Sequence, residues 1–550
     1  MLDSTARLSR LDSSAPIRSL AVDEGNIQIP LWSVPLVLIV LYVCLFSGLG
    51  AFGLVGPDEP RYAAISRTMA ETHDWVTPRL WGTPWFEKPV LYYWVAGVAM
   101  RIFGVSEFAA RLPSALAALL AVLAVAWTAL RSYGVGAAWY ALLMLPTSVA
   151  MIGFSRAASP DMLFAGLLTA AMAVASEMLQ KPRPGPLLRI AFGFVLGAAV
   201  LAKGPAAVIL AGGATLLWAA ISRQWRAPFR FLHPLIIAIF CATALPWYVL
   251  CALRNPDFLR VFIWQHNFQR YVTPVFEHRQ PFWFYAPVVF AATIPWSLLG
   301  FTAFRKWDKS RWTNSPTLFA LCWAVFPFIF FSFSQSKLPG YILPSIPPVF
   351  LMISHGSSRL VEMDRRKPAL LLGSGGGMLV VAALLSWHVI LHISSLFKIS
   401  ESRVIYLLLF AVLGGCITVG FSLWKRPIAA FVSLVLLMTA LLAFMNLEVL
   451  PIADSRLSAR KVAQEFLVRN SASKDVAVSL PRDWRYGLNY YLGRELPEWV
   501  PLTPYPEWLF MNDRTAQELE NSGIETEEIS RVSAPFAVLL RVTPRTKDPK

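Results

Sequence analysis

A succession of apolar runs, each about 20 residues long, constrains the fold of this chain more than any other feature. A run of that length crosses the hydrocarbon core of a bilayer as one helix, since the core is about 30 Å thick. Uninterrupted runs favour helices over the alternating strands of a membrane barrel, because a helix satisfies its own backbone hydrogen bonds in lipid. The runs predict a polytopic membrane protein with about 13 transmembrane helices, one of them over Gly136–Phe154.

Polar segments divide the chain into three regions. Residues 1–29 are polar and are expected to form a cytoplasmic tail. Residues 30–447 hold the apolar runs and are expected to form one transmembrane domain, with large outer loops at 56–108 and 254–281. Residues 448–550 change to alternating helical and strand patterns, which predict a small α/β domain. The predicted fold class is therefore an all-α polytopic membrane protein with a small C-terminal α/β soluble domain.

The C-terminal region carries helix and strand patterns but no catalytic motif. We expect a helix at Leu457–Val468, a strand at Asp475–Leu480, a helix near Asp513–Asn521 and a strand at Pro535–Val542.

The basic residues lie mostly in the short loops between apolar runs, although the whole chain has a net charge of +16. Short basic loops face the cytoplasm, which places the two large loops and the C-terminal region on the outer side of a bacterial inner membrane. The charge then orients the protein and contacts anionic lipid headgroups, so nucleic acid is not an expected partner. No glycine-rich phosphate loop is present, and no nucleotide is expected. All five cysteines fall inside apolar runs, so no disulfide framework or CxxC metal site is expected.

The first large loop contains a dense insert, Gly56–Trp94, in which charged side chains alternate with aromatic residues and prolines. A solvated linker has no need of so many aromatic rings, whereas a site lying against a membrane surface does. Short helices lying in the interface are expected around Pro60–Glu71 and Pro89–Phe103. The charged residues of the insert that point to chemistry are Asp58, Glu59, Arg61, Glu87 and Lys88.

Further ionisable residues lie at the outer ends of the predicted spans and in the second large loop. Such residues are costly at membrane depth and are functional hypotheses by default. Several cations facing one surface suit a phosphate or diphosphate, and a nearby carboxylate can orient or deprotonate an attacking oxygen. The bases expected to converge on one outer cavity are Arg61, Lys88, Lys203, Arg270 and Lys337, together with the acids Asp58 and Asp161.

Three sets of motifs carry a resemblance to a known family: the stretch DEPRYAAISRTMAETHDWVTPRLWGTPWFEKPVLYYW, the short PDM and KGP motifs, and SKLPGYILP. In these motifs the chain resembles the membrane glycosyltransferases that use polyprenyl-phosphate sugars. Within the protein O-mannosyltransferase superfamily it is most similar to the lipid A 4-amino-4-deoxy-L-arabinose transferases. The resemblance extends to about Pro348 and implies a GT-C-type fold with catalysis in a cavity at the outer face. Pro60 replaces a more usual alanine and Gly340 a more usual threonine, which leaves the subfamily and the sugar open.

The resemblance implies a role for ten residues in three groups. The catalytic carboxylates are Asp58, Glu59 and Asp161; the residues at the donor phosphate are Arg61, Lys88, Arg270, Lys337 and Tyr341; and the ligands of a divalent metal, zinc, are Glu87 and His266.

For several of these residues the sequence also allows a purely structural role. Glu87 and His266 lack the local spacing of a zinc site. The structural roles that stay open are an N-cap for Asp58, contact with lipid headgroups for Arg61 and Lys88, an ion pair with Arg156 or a cap for Asp161, and a helix C-cap for Lys203.

The resemblance and the residues together predict inverting transfer of a sugar from a polyprenyl-phosphate donor to lipid A or to another glycan, lipid or protein acceptor. Asp58 would position or deprotonate the acceptor, and the C-terminal region is either a structural cap or faces the acceptor. A transporter or flippase of lipid-linked sugars is the rival hypothesis, and it predicts repeated halves with broken helices near the midplane. A membrane scaffold without catalysis would leave the charges of Gly56–Trp94 unexplained.

Overall fold

The computed structural model describes residues 32–269, 280–300, 315–363, 366–470, 473–500, 504–522 and 524–542. The α-helices of these ranges, numbered in chain order, are α1 Ser33–Leu41, α2 Asp58–Thr72, α3 Leu91–Phe103, α4 Glu107–Tyr133, α5 Val135–Met144, α6 Val149–Ser155, α7 Pro160–Gln180, α8 Pro186–Lys203, α9 Ala206–Ser222, α10 Pro234–Arg254, α11 Tyr285–Ala292, α12 Pro316–Ser332, α13 Ile346–Met363, α14 Arg366–Leu396, α15 Glu401–Leu423, α16 Pro427–Phe444, α17 Leu450–Leu457, α18 Arg460–Asn470, α19 Arg482–Leu492 and α20 Asp513–Asn521. The strands are β1 Arg79–Leu80, β2 Thr83–Pro84, β3 Val476–Ser479, β4 Trp508–Met511, β5 Thr526–Ser530 and β6 Val538–Val542. Shorter π- or 3₁₀-helical turns cover Tyr42–Phe46, Pro228–Leu232, Arg260–Gln269, Ser297–Leu299, Pro339–Ser345 and Met445–Val449.

The predicted helical, polytopic membrane fold is confirmed, but the count of about 13 spans is not. Within the described ranges, 7 helical stretches are long and apolar enough to cross a bilayer. Other apolar helices are shorter: Ser33–Phe46, Leu91–Phe103, Ala206–Ser222 and Pro316–Ser332. The last long stretch, Pro427–Leu457, continues past residue 447, where the transmembrane domain was expected to end.

One predicted span is broken. The sequence predicts a single helix over Gly136–Phe154, but α5 and α6 meet there at an angle of 59°. Pro146 lies in the break, where it removes a backbone donor, and the hydroxyl of Ser148 caps α6 by accepting from the Met151 N–H.

Close packing of α4 against α7 places the start of α7 beside the first large loop. A Cβ built at Gly166 would lie 2.3 Å from the carbonyl oxygen of Ala117, so only glycine permits this approach. The contact holds Arg111 on α4 and Asp161 at the start of α7 in one region of the protein.

The C-terminal region forms a four-stranded sheet in the order β3-β4-β6-β5, in which β3 and β4 are parallel and the other pairs antiparallel. The helices and strands predicted for this region are confirmed, with boundaries shifted by a few residues. Apolar side chains from α18 and α19 pack against one face of the sheet. This core includes Phe466, Trp484, Trp508, Phe510 and Leu539.

Candidate active site

The insert Gly56–Trp94 folds into two helices joined by a tight hairpin. The helices predicted around Pro60–Glu71 and Pro89–Phe103 are confirmed as α2 and α3, and their position in the membrane interface stays a prediction. Strands β1 and β2 lie between them and pair through a turn at Trp81 and Gly82, which both have positive φ angles, of 48° and 87°. Positive φ at both central residues is typical of a type I′ hairpin turn. The hairpin returns the chain so that Glu87 and Lys88 face the start of α2, as the ion pair between Arg61 and Glu87 shows.

A chain of four charged side chains links the start of α2 to the residues after the hairpin. Arg61 Nη2 lies 2.5 Å from Asp58 Oδ1, and Arg61 Nη1 lies 3.1 Å from Glu87 Oε2. The other oxygen of Glu87, Oε1, accepts from Lys88 Nζ at 3.1 Å. The Asp58 side chain is 59% exposed, whereas those of Arg61 and Glu87 are 6% and 9% exposed. A buried cation therefore holds a carboxylate that solvent and ligands can reach.

The N-cap role for Asp58 does not apply. Helix α2 begins at Asp58 itself, Pro57 occupies the cap position, and the helix has no side-chain cap hydrogen bond. Headgroup contact does not fit Arg61 either, because its guanidinium is buried. Asp58 is thus free of a capping role and is oriented by Arg61.

Arg61 remains charged in this site. Burial by itself disfavours the charge, but the neighbouring Tyr62, Glu87 and Asp58 outweigh it and raise the pKa of Arg61 above its ordinary value. Among the described residues, the buried Arg61 Nε and the buried hydroxyl of Tyr93 have no hydrogen-bond partner. Buried donors are seldom left without an acceptor, so these two atoms are unsatisfied donors within the cluster around Arg61.

Glu59, next to Asp58 in the chain, lies in a different environment. Its Oε1 accepts from Ala158 N at 2.7 Å and from Arg111 Nε at 3.1 Å. Its Oε2 accepts from Val55 N at 2.8 Å and from Arg111 Nη2 at 2.7 Å. Four hydrogen bonds occupy this buried carboxylate, which argues against the catalytic role predicted for Glu59 and indicates a structural one.

Arg111, which the sequence reasoning did not single out, is completely buried. Besides Glu59, its guanidinium donates to the carbonyl oxygens of Leu49, Phe52 and Gly53, each at 2.8 Å. It therefore holds the segment that leads into α2. A charged residue inside a predicted apolar span was the signal that identifies it.

A second polar cluster lies at the start of α7. Asp161 Oδ1 lies 2.5 Å from Lys203 Nζ, and the same ammonium lies 5.1 Å from the centroid of the Tyr341 ring. The cap of α7 is Ser159, and Arg156 donates instead to carbonyl oxygens of residues 43, 44 and 47. The expected pair of Asp161 with Arg156 and the cap role of Asp161 are therefore wrong, and so is the C-cap role of Lys203.

Gly340 closes one side of this second cluster. A Cβ built there would lie 2.9 Å from Asp161 Oδ2 and 3.1 Å from the Phe154 ring. A threonine at this position, as in the family pattern, would have to displace one of these groups. The glycine therefore allows the close approach of the segment carrying Tyr341 to Asp161.

The two clusters adjoin through the structural carboxylate Glu59. Its hydrogen bond to Ala158 N joins the start of α2 to the segment before α7. The hydroxyl of Ser114 donates to the carbonyl oxygens of Ala157 at 2.6 Å and Ser159 at 3.2 Å, which fixes the same segment. The residue next to Asp58 is thus hydrogen-bonded to the segment that directly precedes Asp161.

Lys337 is buried in the loop before Pro339–Ser345. Its ammonium donates to the carbonyl oxygens of Ser334 at 2.7 Å and Gln280 at 3.0 Å. Burial lowers the pKa of Lys337 below its ordinary value. A cation held mainly by neutral carbonyl oxygens keeps its capacity to attract an anion.

A cavity of about 490 Å³ lies beside the first cluster and is lined by Glu87 and His266, the two predicted metal ligands. Asp58, Lys88 and Lys337 are not among its lining residues. In the described ranges no group of three or more His, Cys, Asp or Glu side chains is arranged to hold a metal ion. Both oxygens of Glu87 already accept from cations. Within the described ranges no third ligand of these types joins Glu87 and His266, and zinc at these two residues stays a prediction.

Arg270, the remaining predicted phosphate ligand, lies outside the described residues. Its place in the site stays a prediction.

The sequence of this chain is similar to those of several known proteins. The profile of the dolichyl-phosphate-mannose-protein mannosyltransferase family matches residues 31–262. Three similar relatives are undecaprenyl phosphate-alpha-4-amino-4-deoxy-L-arabinose arabinosyl transferases. The protein of Edwardsiella ictaluri is 33% identical over 66% of this chain and 66% of its own length. That of Erwinia tasmaniensis is 30% identical over 70% and 72%, and that of Pseudomonas aeruginosa is 30% identical over 75% of each.

Solved structures share the fold. The crystal structure of ArnT from Cupriavidus metallidurans bound to undecaprenyl phosphate superposes with a TM-score of 0.73 and 24% identity, covering 94% of this chain and 99% of that chain. The apo state of the same protein gives a TM-score of 0.75, covering 94% and 98%.

Proposed function

The chain belongs to the family of undecaprenyl phosphate 4-amino-4-deoxy-L-arabinose arabinosyl transferases, and we propose that it transfers a sugar from a polyprenyl-phosphate donor to lipid A or another envelope acceptor. It is a multi-pass membrane glycosyltransferase that depends on a lipid-phosphate sugar. The names of the relatives support transfer rather than the flipping of lipid-linked sugars. Part of the proposal is that the reaction takes place at the outer face of the bacterial inner membrane.

The observation that carries the proposal is the chain Asp58–Arg61–Glu87–Lys88. It places one accessible carboxylate beside two cations, and a sugar transfer from a phosphate needs both kinds of group. Asp58 and Glu87 balance the charges of Arg61 and Lys88, so the further positive charge that a phosphate requires is proposed to come from Arg270 and Lys337. The unpartnered Arg61 Nε and Tyr93 hydroxyl add two buried donors to the same cluster.

The reaction proceeds by attack of an acceptor oxygen on C1 of the sugar, from the face opposite the lipid phosphate. The new glycosidic C–O bond forms as the bond from C1 to the phosphate oxygen breaks, and its electron pair passes to that oxygen, which inverts C1. Lys88 and Arg61 stabilise the charge that grows on the departing phosphate, with Arg270 and Lys337 proposed to assist. Tyr341 is proposed to line the donor site.

Asp58 has one of two tasks, depending on the acceptor. A hydroxyl acceptor has to lose its proton, and the accessible carboxylate of Asp58 takes it. An acceptor phosphate is already anionic, so no proton moves and Asp58 orients the attacking group. We assign Asp161, paired with Lys203, to positioning of the acceptor rather than to proton transfer.

The proposal is tested with purified protein, radiolabelled polyprenyl-phosphate sugar and lipid A. Asp58→Asn should lower the transfer rate by about a hundredfold or more, because the carboxylate that activates or orients the acceptor is lost. The matched control is Glu71→Gln, which neutralises an exposed carboxylate paired with Arg67 on the same helix and should stay within about twofold of the unmodified enzyme. Full activity of Asp58→Asn would overturn the assignment, and movement of the donor across vesicles without transfer would favour a flippase.

A further inference from the structure

The segment that leads into α2 is held by the C-terminal region. The hydroxyl of Tyr491, on α19, accepts from Leu54 N at 2.8 Å and donates to Glu107 Oε1 at 2.9 Å. The neighbouring Gly53 N donates to Asp454 Oδ1 at 2.6 Å. Leu54 lies four residues before Asp58, so two backbone donors just ahead of that carboxylate depend on side chains about 400 residues away.

The same helix contacts α2 itself. Arg67 Nη1 donates to the carbonyl oxygen of Tyr490 at 3.4 Å. Gly493, the left-handed residue that ends α19, lies beside this guanidinium: a Cβ built there would meet Arg67 Nη2 at 3.4 Å, an ordinary contact distance. The end of α19 is therefore fitted to the side of α2.

A third contact reaches the hairpin. The ring of Trp81, at the hairpin turn, lies 5.0 Å from the ring of Tyr486 on α19 in an edge-to-face arrangement. Trp81 has a φ of 48°, a conformation that costs free energy for a residue with a large side chain. Contact with Tyr486 helps to offset that cost. The hairpin ends directly before Trp85, and Glu87 and Lys88 follow.

We propose that α19 is a positioning element of the active site, an inference that rests on the proposed function. Its contacts reach both arms of the first insert, before Asp58 through Leu54 and before Glu87 through Trp81. The two arms meet through the ion pairs of Arg61 and through its guanidinium, which lies over the Trp85 ring at 5.3 Å. Holding both arms on one rigid helix keeps the accessible carboxylate and the cations at the distances that transfer requires, because small displacements of reacting groups are costly.

The competing explanation is that these contacts only attach the C-terminal region to the transmembrane part. The two explanations differ in a measurable way. Simple attachment affects the melting temperature and the amount of folded protein. Positioning also affects kcat of the folded enzyme, while the KM for the donor changes little because the cations themselves are retained.

Tyr491→Phe is the test, and the chain offers a matched control. The variant removes only the hydroxyl that receives Leu54 N, so we expect kcat to fall about tenfold with less than about a twofold change in donor KM. Tyr490→Phe removes the next hydroxyl along the chain, which is buried and has no hydrogen-bond partner among the described residues. That control should keep kcat within about twofold. Equal kcat values in the two variants would overturn the proposal.

A second variant covers the case in which Tyr491→Phe does not yield folded protein. Tyr486→Ala removes the partly exposed ring that packs on Trp81 and should lower kcat severalfold, again with donor KM nearly unchanged. Unchanged kcat in folded Tyr486→Ala would then overturn the proposal. Absence of sugar transfer by the unmodified enzyme would refute the proposed function itself, so the two failures are distinguishable.

Discussion

Replacing Glu59 with glutamine separates structure from chemistry at the two adjacent acids of α2. The substitution keeps the shape of the side chain but removes its charge and turns one acceptor oxygen into a donor. In the structure each oxygen of Glu59 accepts twice, one from Ala158 N and Arg111 Nε, the other from Val55 N and Arg111 Nη2. Whichever way the amide is turned, its nitrogen faces two donors.

The expected loss of stability follows from those contacts. Two buried donors lose their acceptor, and each unsatisfied group costs about 1–3 kcal/mol. The completely buried Arg111 also loses its counter-charge, and breaking a buried ion pair costs about 3–5 kcal/mol in general. The two estimates describe the same lost contacts, so they are not added. Glu59→Gln should lower the free energy of unfolding by about 3–5 kcal/mol.

The assay combines two measurements on protein purified in detergent. One is the apparent melting temperature, which should fall clearly for Glu59→Gln and hardly at all for the exposed control Glu71→Gln, whose ion pair is worth about 1 kcal/mol or less. The other is the transfer rate per folded molecule, which should fall much less than the hundredfold or more expected for Asp58→Asn, because Glu59 has no free oxygen for a substrate and only helps to hold the segment that leads into α2. An unchanged melting temperature together with loss of transfer would refute the reasoning and restore Glu59 as a catalytic residue.

Two further predictions concern the second cluster and its surroundings. Lys203→Met removes the ammonium that pairs with Asp161 and should lower transfer about tenfold while the protein stays folded, with partial recovery in Lys203→Arg. Equal rates for all three proteins would contradict a role for the pair. Burial lowers the pKa of Lys337, so its charge is complete below that lowered pKa and is lost as the pH rises through it. Donor affinity should therefore begin to fall at a pH below the ordinary lysine pKa of about 10.4, while the Lys337→Arg variant shows no such loss. The effect on stability has the opposite sign. Between the lowered pKa of Lys337 in the folded protein and its ordinary pKa, the unfolded state binds more protons than the folded state. The free energy of unfolding therefore rises with pH in this range.

Apolar periodicity predicted the membrane helices and the helices of the first insert because those elements depend on local pattern and length. The same pattern did not predict the break between α5 and α6, because the two helices together have the composition of one span. In the sequence the bend is marked by Pro146 and the cap residue Ser148. The pattern also failed to give the number of spans, because short apolar helices in a bundle are buried by neighbouring helices as well as by lipid.

The ion-pair and hydrogen-bond partners of individual side chains could not be predicted from apolar periodicity. Asp161 has Arg156 five residues before it in the chain, yet it pairs with Lys203, which is 42 residues away. The choice follows from the packing of α7 against α8, and hydropathy does not encode the rotation of one helix against another. The contacts of α19 with the insert are still less visible in the sequence, because Tyr491 binds a backbone N–H of Leu54 and any residue presents that group.

Asp58 and Glu59 show what the fold adds to a motif. Successive residues on a helix point about 100° apart, so of two adjacent acids at a helix start only one can face the core while the other faces the opening. The motif DEPRY does not say which one does. Arg111 determines which acid faces the core, because a fully buried guanidinium on α4 requires a counter-charge at that place. Glu59 forms this ion pair. Asp58 is then turned outward, where Arg61 holds it within reach of a substrate. The carboxylate available for catalysis is thus selected by an arginine that has no part in the chemistry.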